Sequence, residues 1–401
     1  MRQWLLERRR WLFIILVGGA SAAAILLRLT VAGTPAAVAA PAEAQPAKPA
    51  AQPGVSNDYC LGCHGKPNQL RTLPSGELQY MSIDPAGYAA SVHGSGGYAC
   101  VQCHPTIREY PHPESTAQDL RAVTLQNYTT CQECHSGQYE KQMDSVHQKA
   151  LDEGNQNAAV CTDCHNPHYQ KRLTNPTTGE LWPNARLLIP QTCARCHSTI
   201  YDQYKQTVHG TALIGDAEQP GGNPDVPTCI DCHGVHNQAD PTTAGFRLSS
   251  TDLCAKCHTD PARMDKYHIS TNVLNTYLAD FHGTTVTLFQ KQAPGELTNK
   301  PVCYDCHGVH DIRAVDDPEK GLHVKQNLLV ACQQCHPGAT PDFPDSWLSH
   351  YEPSADKNPL VYFVDVFYRF FIPGVLVPMG IYVLADFGRR IYSRVRKGGQ
   401  H

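Results

Sequence analysis

Spare cysteine is the first thing this 401-residue chain lacks: all 18 cysteines fall in one short pattern, Cys-x-x-Cys-His, and none stands elsewhere. A disulfide framework has no need of one identical spacing, so it is excluded as the reason for them. Long apolar periodic runs are also scarce between residues 56 and 360, a stretch rich in Gly, Pro and Asn. The chain is long enough for two or three ordinary domains, yet that stretch holds too little periodic apolar sequence to build their cores. Basic charge is short there too. Residues 56–360 carry 21 Lys and Arg against 33 Asp and Glu, a net of −12 that the whole-chain value of −4 conceals. Such a surface excludes a nucleic-acid binder; it suits a basic partner, or simply keeps the protein soluble.

What is present is the pattern itself, nine times over: Cys60, Cys63 and His64; Cys100, Cys103 and His104; Cys131, Cys134 and His135; Cys161, Cys164 and His165; Cys193, Cys196 and His197; Cys229, Cys232 and His233; Cys254, Cys257 and His258; Cys303, Cys306 and His307; Cys332, Cys335 and His336. Zinc ribbons and redox dithiols also use paired cysteines, but neither needs a histidine after every second one. Covalent attachment of a c-type haem does: the two thiols add to the haem vinyl groups, and the adjacent imidazole binds the iron from one side. The expected fold class is therefore mainly α with extensive loops, a multihaem cytochrome c organised around nine covalent haems, with a transmembrane helix at each end. With roughly one haem for every 34 residues of 56–360, the cofactors take the place of a side-chain core.

The motifs alternate in kind. Those starting at Cys131, Cys193 and Cys254 are followed by a polar, aromatic helical stretch and then a histidine, as in Ile200–His209, whereas CHNPH and CHGVH place a histidine three residues after the motif histidine. Odd-numbered starts are 71, 62, 61 and 78 residues apart, an internal repeat of a two-motif module ending in a half-module. Of the 21 histidines twelve lie outside the motifs, and nine of these are candidates for the second axial bonds: His93, His147, His209, His282 and His350 at long range, His112, His168, His236 and His310 at short range. His268 is an alternative to His282, and His323 to His112. His197 and His209 are about 18 Å apart if helical, too far to share one iron. His233 and His236 point the same way from one turn. Each distal histidine is thus expected to reach the haem of a different motif, closing all nine irons.

Residues 1–33 open with MRQWLLERRR and an uncharged run, 11–27, that reads as a transmembrane anchor, a cleaved signal peptide being the competing reading. Residues 34–55 form a Pro/Ala-rich linker, 56–358 the haem domain, and 359–401 an interfacial segment, a second transmembrane helix and a basic tail. That helix, FFIPGVLVPMGIYVLADF at 370–387, would span roughly 27 Å, with kinks at Pro373 and Pro378. Arginines flanking both apolar runs set both termini on the cytoplasmic side and the haems outside, on the outer face of a bacterial cytoplasmic membrane. No histidine occurs in 1–55 or 351–400, so neither helix can hold a b-type haem by imidazole.

The alternation of CxxCH, tyrosine-rich helix with His-Gly (His93-Gly94, His209-Gly210, His282-Gly283) and CHGVH resembles the haem-pair modules of octahaem tetrathionate reductase and hydroxylamine oxidoreductase relatives, within the multihaem c-type cytochromes of bacterial respiratory chains. The tail WLSHYEP at 347–353 and LVYFVDVFYRFFIP at 360–373 is similar to membrane-bound members that associate with integral b-type cytochromes oxidising quinol. The resemblance implies such a partner, or another quinol-oxidising subunit, together with a soluble or surface redox partner. Nitrite-reducing members replace the motif histidine of the catalytic haem by lysine, and no motif here does so. The expected function is electron transfer between a quinol-linked membrane partner and an extracytoplasmic acceptor, with no catalytic residue. The alternative is an oxidoreductase of small nitrogen or sulfur compounds with one haem left open.

Overall fold

The computed structural model describes residues 55–215, 221–347, 350, 352–356 and 358–398, all within one compact unit, Lys48–His401. The N-terminal anchor, all but the last residue of the linker, and residues 399–401 lie outside the described residues. The described chain is mainly helical. Its one sheet is a hairpin, Leu70–Thr72 against Leu78–Tyr80, paired antiparallel with Arg71 opposite Gln79.

Most helices are short because polar caps and the motifs themselves interrupt them. Four helices carry a histidine as their second residue: Val92–Ser95, Val146–Asp152, Val208–Ile214 and Phe281–Gln292. The first three begin where Ser91, Ser145 or Thr207 accepts the backbone N–H of Gly94, Gln148 or Gly210, satisfying a donor the helix leaves open. Asp280 does the same for His282 N–H at 2.6 Å. Four of the five long-range histidines, all but His350, therefore stand one residue inside a fresh helix, where a cap fixes their direction, and not at the end of the preceding one.

Three of these helices cross the helix before them at backbone contact. A Cβ on Gly94, Gly210 or Gly283 would lie 1.9, 1.9 or 2.1 Å from the carbonyl oxygen of Tyr88, Tyr204 or Tyr277, so only glycine fits. Those tyrosines hold the crossing from the other end: their hydroxyls donate to the carbonyls of Tyr98, Pro227 and Pro301, each two residues before a motif. The second module solves the same joint with amides. Gln142 and Gln148 occupy the tyrosine and glycine positions, and Gln142 Nε2 donates to Gln148 Oε1 at 3.1 Å.

Apolar packing is thin. Buried hydrophobic side chains are scattered, and the core cluster is Leu248, Val286 and Val302 with Phe289 and Tyr304 against it. At about 2 kcal/mol for each large buried side chain, so few fall far short of the ordering entropy of some 300 residues.

The C-terminal helix runs unbroken from Pro359 to Gly398, through Pro373 and Pro378, so the segment expected to lie at the interface is the start of the same helix as the apolar run. It is long and apolar enough to cross a membrane: its best window has mean hydropathy 1.8 and none of it is buried in the protein. Ion pairs flank the uncharged stretch, Arg369 with Asp365 at 3.1 Å before it and Arg389 and Arg390 with Asp386 at 2.9 and 2.7 Å after it.

Candidate functional site

The first cysteine of each second motif, Cys100, Cys161, Cys229 or Cys303, opens a short helix, whereas Cys60 lies within a helix, Cys193, Cys254 and Cys332 lie near the ends of longer ones and Cys131 lies in a 3-10 turn; no two of the 18 are joined in a disulfide. First cysteines meet in couples: the Cys60 thiol with Cys100, Cys131 with Cys161, Cys193 with Cys229 and Cys254 with Cys303. These couples are the two-motif modules. Across module boundaries the second cysteine of one lies within electrostatic reach of the next, Cys103 of Cys134, Cys164 of Cys193, Cys232 of Cys254 and Cys306 of Cys332. The nine motifs therefore follow one another in space in their sequence order.

Every motif histidine faces one histidine from outside the motifs. Ring centroids are 6.0 Å apart for His64 and His112, 6.2 Å for His104 and His168, 6.2 Å for His135 and His93, 6.2 Å for His165 and His236, and 6.3 Å for His197 and His147. They are 6.0 Å apart for His233 and His310, 6.3 Å for His258 and His209, 6.1 Å for His307 and His350, and 6.5 Å for His336 and His282. His268 and His323, weighed as alternatives, take no part in these pairs.

The spacing has a chemical meaning. With a metal–nitrogen bond of about 2.0 Å and a ring radius of roughly 1.1 Å, two imidazoles on opposite sides of one metal have centroids about 6.2 Å apart. Two rings do not complete a six-coordinate site, and among the described residues no group of three or more His, Cys, Asp or Glu side chains converges on one point. The remaining four donors would have to come with the metal, on a ligand that the two neighbouring thiols can hold.

The environment favours neutral, metal-binding rings. Burial, ahead of the facing imidazole, pushes His168, His209 and His307 down to about 4. In three rings Nδ1 is held by the backbone, which leaves Nε2 for a metal: His64 Nδ1 lies 3.0 Å from the Met81 carbonyl, His93 Nδ1 2.9 Å from that of Pro167, and His112 Nδ1 2.9 Å from that of Pro113.

The pairs obey one translation rule. His93, His147, His209 and His282 each serve the first motif of the following module. His168, His236 and His310 each serve the second motif of the preceding one. At the start of the repeat there is no earlier module to serve His64, and His112 does so; at the end no later one serves His307, and His350 does so. Backbone joins follow the same rule: Val92, Val146 and Val208 N–H donate to the carbonyls of Gln170, Gln238 and Ile312, each five residues past a motif histidine of the next module.

A set of supporting residues escaped the reading of the sequence. In Cys-x-Asp-Cys-His the Asp163, Asp231 and Asp305 carboxylates accept the backbone N–H of the residue before the motif at 2.7, 2.7 and 2.6 Å. Each also binds an arginine, Arg121 at 2.8 Å, Arg186 at 3.2 Å and Arg247 at 2.8 Å. Asp as the third residue of these three motifs was the available signal; the arginines are 42 to 58 residues away and carried none.

No known protein family matches the chain, no curated protein matches it, and no solved structure matches its fold.

Proposed function

We propose that the chain is a nonahaem c-type cytochrome that passes electrons between a quinol-linked membrane partner and an extracytoplasmic acceptor, fixed to the outer face of a bacterial cytoplasmic membrane. The observation that carries this is the one-to-one pairing of nine motif histidines with nine others at the separation of two axial ligands. The near absence of a side-chain core supports it as well, since nine attached cofactors would supply the missing apolar contact. When bound, haem iron supplies one-electron chemistry. The chain's own residues would hold each group by two thioethers, direct two imidazoles at it, favour the neutral form of buried rings such as His168, His209 and His307, and hold successive groups in one ordered series. The partner is expected to be an integral b-type cytochrome or another quinol-oxidising subunit, consistent with a family of multihaem respiratory cytochromes and with one apolar C-terminal helix that has no histidine of its own.

The rival reading, an oxidoreductase of nitrogen or sulfur compounds, needs one motif histidine without a facing partner, and the pairing favours the carrier. A haem count on the purified chain and its ferric electron paramagnetic resonance spectrum test both. Nine covalent haems, all low-spin and indifferent to nitrite and hydroxylamine, are expected. Fewer haems would end the first reading, and a high-spin signal that responds to either compound would replace it with the second.

A further inference from the structure

The four helices that present a histidine as second residue are capped alike in all but one respect. Ser91, Ser145 and Thr207 are neutral, almost fully buried caps; at the fourth the cap is a carboxylate, Asp280. Its Oδ1 lies 3.4 Å from His282 Nδ1. The same nitrogen of His93 meets a neutral group, the Pro167 carbonyl, and His147 is hydrogen-bonded by the Gln238 side chain, with the Asp163 carboxylate only within electrostatic reach. Asp280 Oδ2 is held by the Trp347 indole N–H at 2.7 Å, and its charge also reaches His350. Trp347 lies twelve residues before the C-terminal helix begins at Pro359, and Asn272, just before the Val273–Ala279 helix, bonds Glu352 in the same tail at 2.5 Å.

From this placement, and resting on the nonahaem reading above, we propose that Asp280 is a positioning residue that makes the His282–His336 site the most reducing of the four served by such helices, so that it receives electrons from the membrane partner and hands them on. A carboxylate against the distal nitrogen of an axial imidazole strengthens that ligand, and its negative charge favours the more positive, oxidised iron. Each step is the transfer of one electron from the reduced site to its oxidised neighbour, with no bond made or broken; the reductant is the quinol-oxidising partner. The site lies beside the segment that leads into the apolar helix, which is where a membrane donor can reach it.

The test is a redox titration of the full-length, detergent-purified protein followed by paramagnetic resonance, with Asp280→Asn and Trp347→Phe. Asparagine can still cap the helix but removes the charge. One of nine sites should become about tenfold easier to reduce, a shift of about +59 mV for one electron, with a smaller shift of the same sign at the His307–His350 site. Trp347→Phe leaves more of the carboxylate's charge for His282, so the same site should move the opposite way, by about threefold. Nine midpoints unchanged within about twofold in Asp280→Asn would overturn the proposal. So would loss of one haem from that variant together with an unshifted Trp347→Phe. Failure of the underlying reading is distinguishable, because it appears in the parent chain as missing covalent haem before any titration begins.

Discussion

Inside the repeat each joint between modules is made the same way; at its two ends it is made differently. The second motifs of modules two to four are stapled by an aspartate and an arginine and joined to the helix of the module before by a backbone hydrogen bond, and those of modules one to three are served by a histidine from the module after them. At the first module Gln102 stands in the aspartate's place, its Oε1 accepting Ala99 N–H at 2.7 Å with no arginine, and His112 replaces the missing neighbour's imidazole. At the last, the half-module that follows has no second motif and Phe281 is 78 % exposed, while His350 closes the final second motif. A repeat whose ends supply their own closing groups has a set length, as terminal caps give other repeat proteins.

The largest effect should come from breaking an interior crossing. Gly210→Ala drives a Cβ into the Tyr204 carbonyl and is expected to cost about 3 kcal/mol, whereas Gln148→Ala, at the amide version of the same joint, should cost only about 1 kcal/mol. Thermal unfolding of the purified variants measures both, and equal losses would mean that the backbone contact is not what holds the crossing. Next, Arg247→Ala strands Asp305 and the carbonyls of Thr298 and Lys300. With the pair's side chains 19 % and 23 % exposed, about 2 kcal/mol is expected, below the range for a fully buried pair. Gln102→Ala, its counterpart at the end, should cost about 1 kcal/mol. On the proposed haem reading, His112→Ala should turn one of nine sites high-spin yet leave the unfolding free energy within about 1 kcal/mol, because among the described residues no hydrogen bond between modules depends on it. A loss as large as that of Arg247→Ala would show that the ends hold the repeat together too.

The smallest effect concerns a surface joint between the third and fourth modules. Asp225 bonds Lys266 at 2.9 Å and Tyr267 at 3.0 Å, and the lysine's hydrogen bond holds its carboxyl below the usual range. A depressed carboxylate stabilises above the ordinary value of about 4, and the contribution disappears as pH falls through the folded value. Lys266 is 58 % exposed, so Asp225→Asn should cost less than about 1 kcal/mol at neutral pH and nothing in strong acid. Unfolding free energies at the two pH values check the sign.

Much of the site could be read directly. Nine motifs and nine spare histidines in recurring positions are matters of counting, and the 12-residue gap between His197 and His209 was enough to argue that they serve different motifs. The count could not say which rings meet. His112, eight residues past its motif where three is the rule, looked irregular because the reason for its position is the absent module before Cys60, and an absence leaves no local pattern. The arginine staples were hidden for a related cause: Arg247 and Asp305 are neighbours only because a helix, Ala244–His258, lies beside the motif at Cys303. The glycines of His-Gly were visible, but what they make room for is a carbonyl on another helix.

Composition and spacing alone determined the number of motifs, the residue types at each, the repeat and the apolar C-terminal run, because the proposed haem attachment and ligation, and an apolar run long enough for a membrane, would each demand fixed residue types at short range. The pairing rule and the closing of both ends were decided by the tertiary structure. They depend on contacts between modules, and neighbours in space across a module boundary are tens of residues apart in the chain.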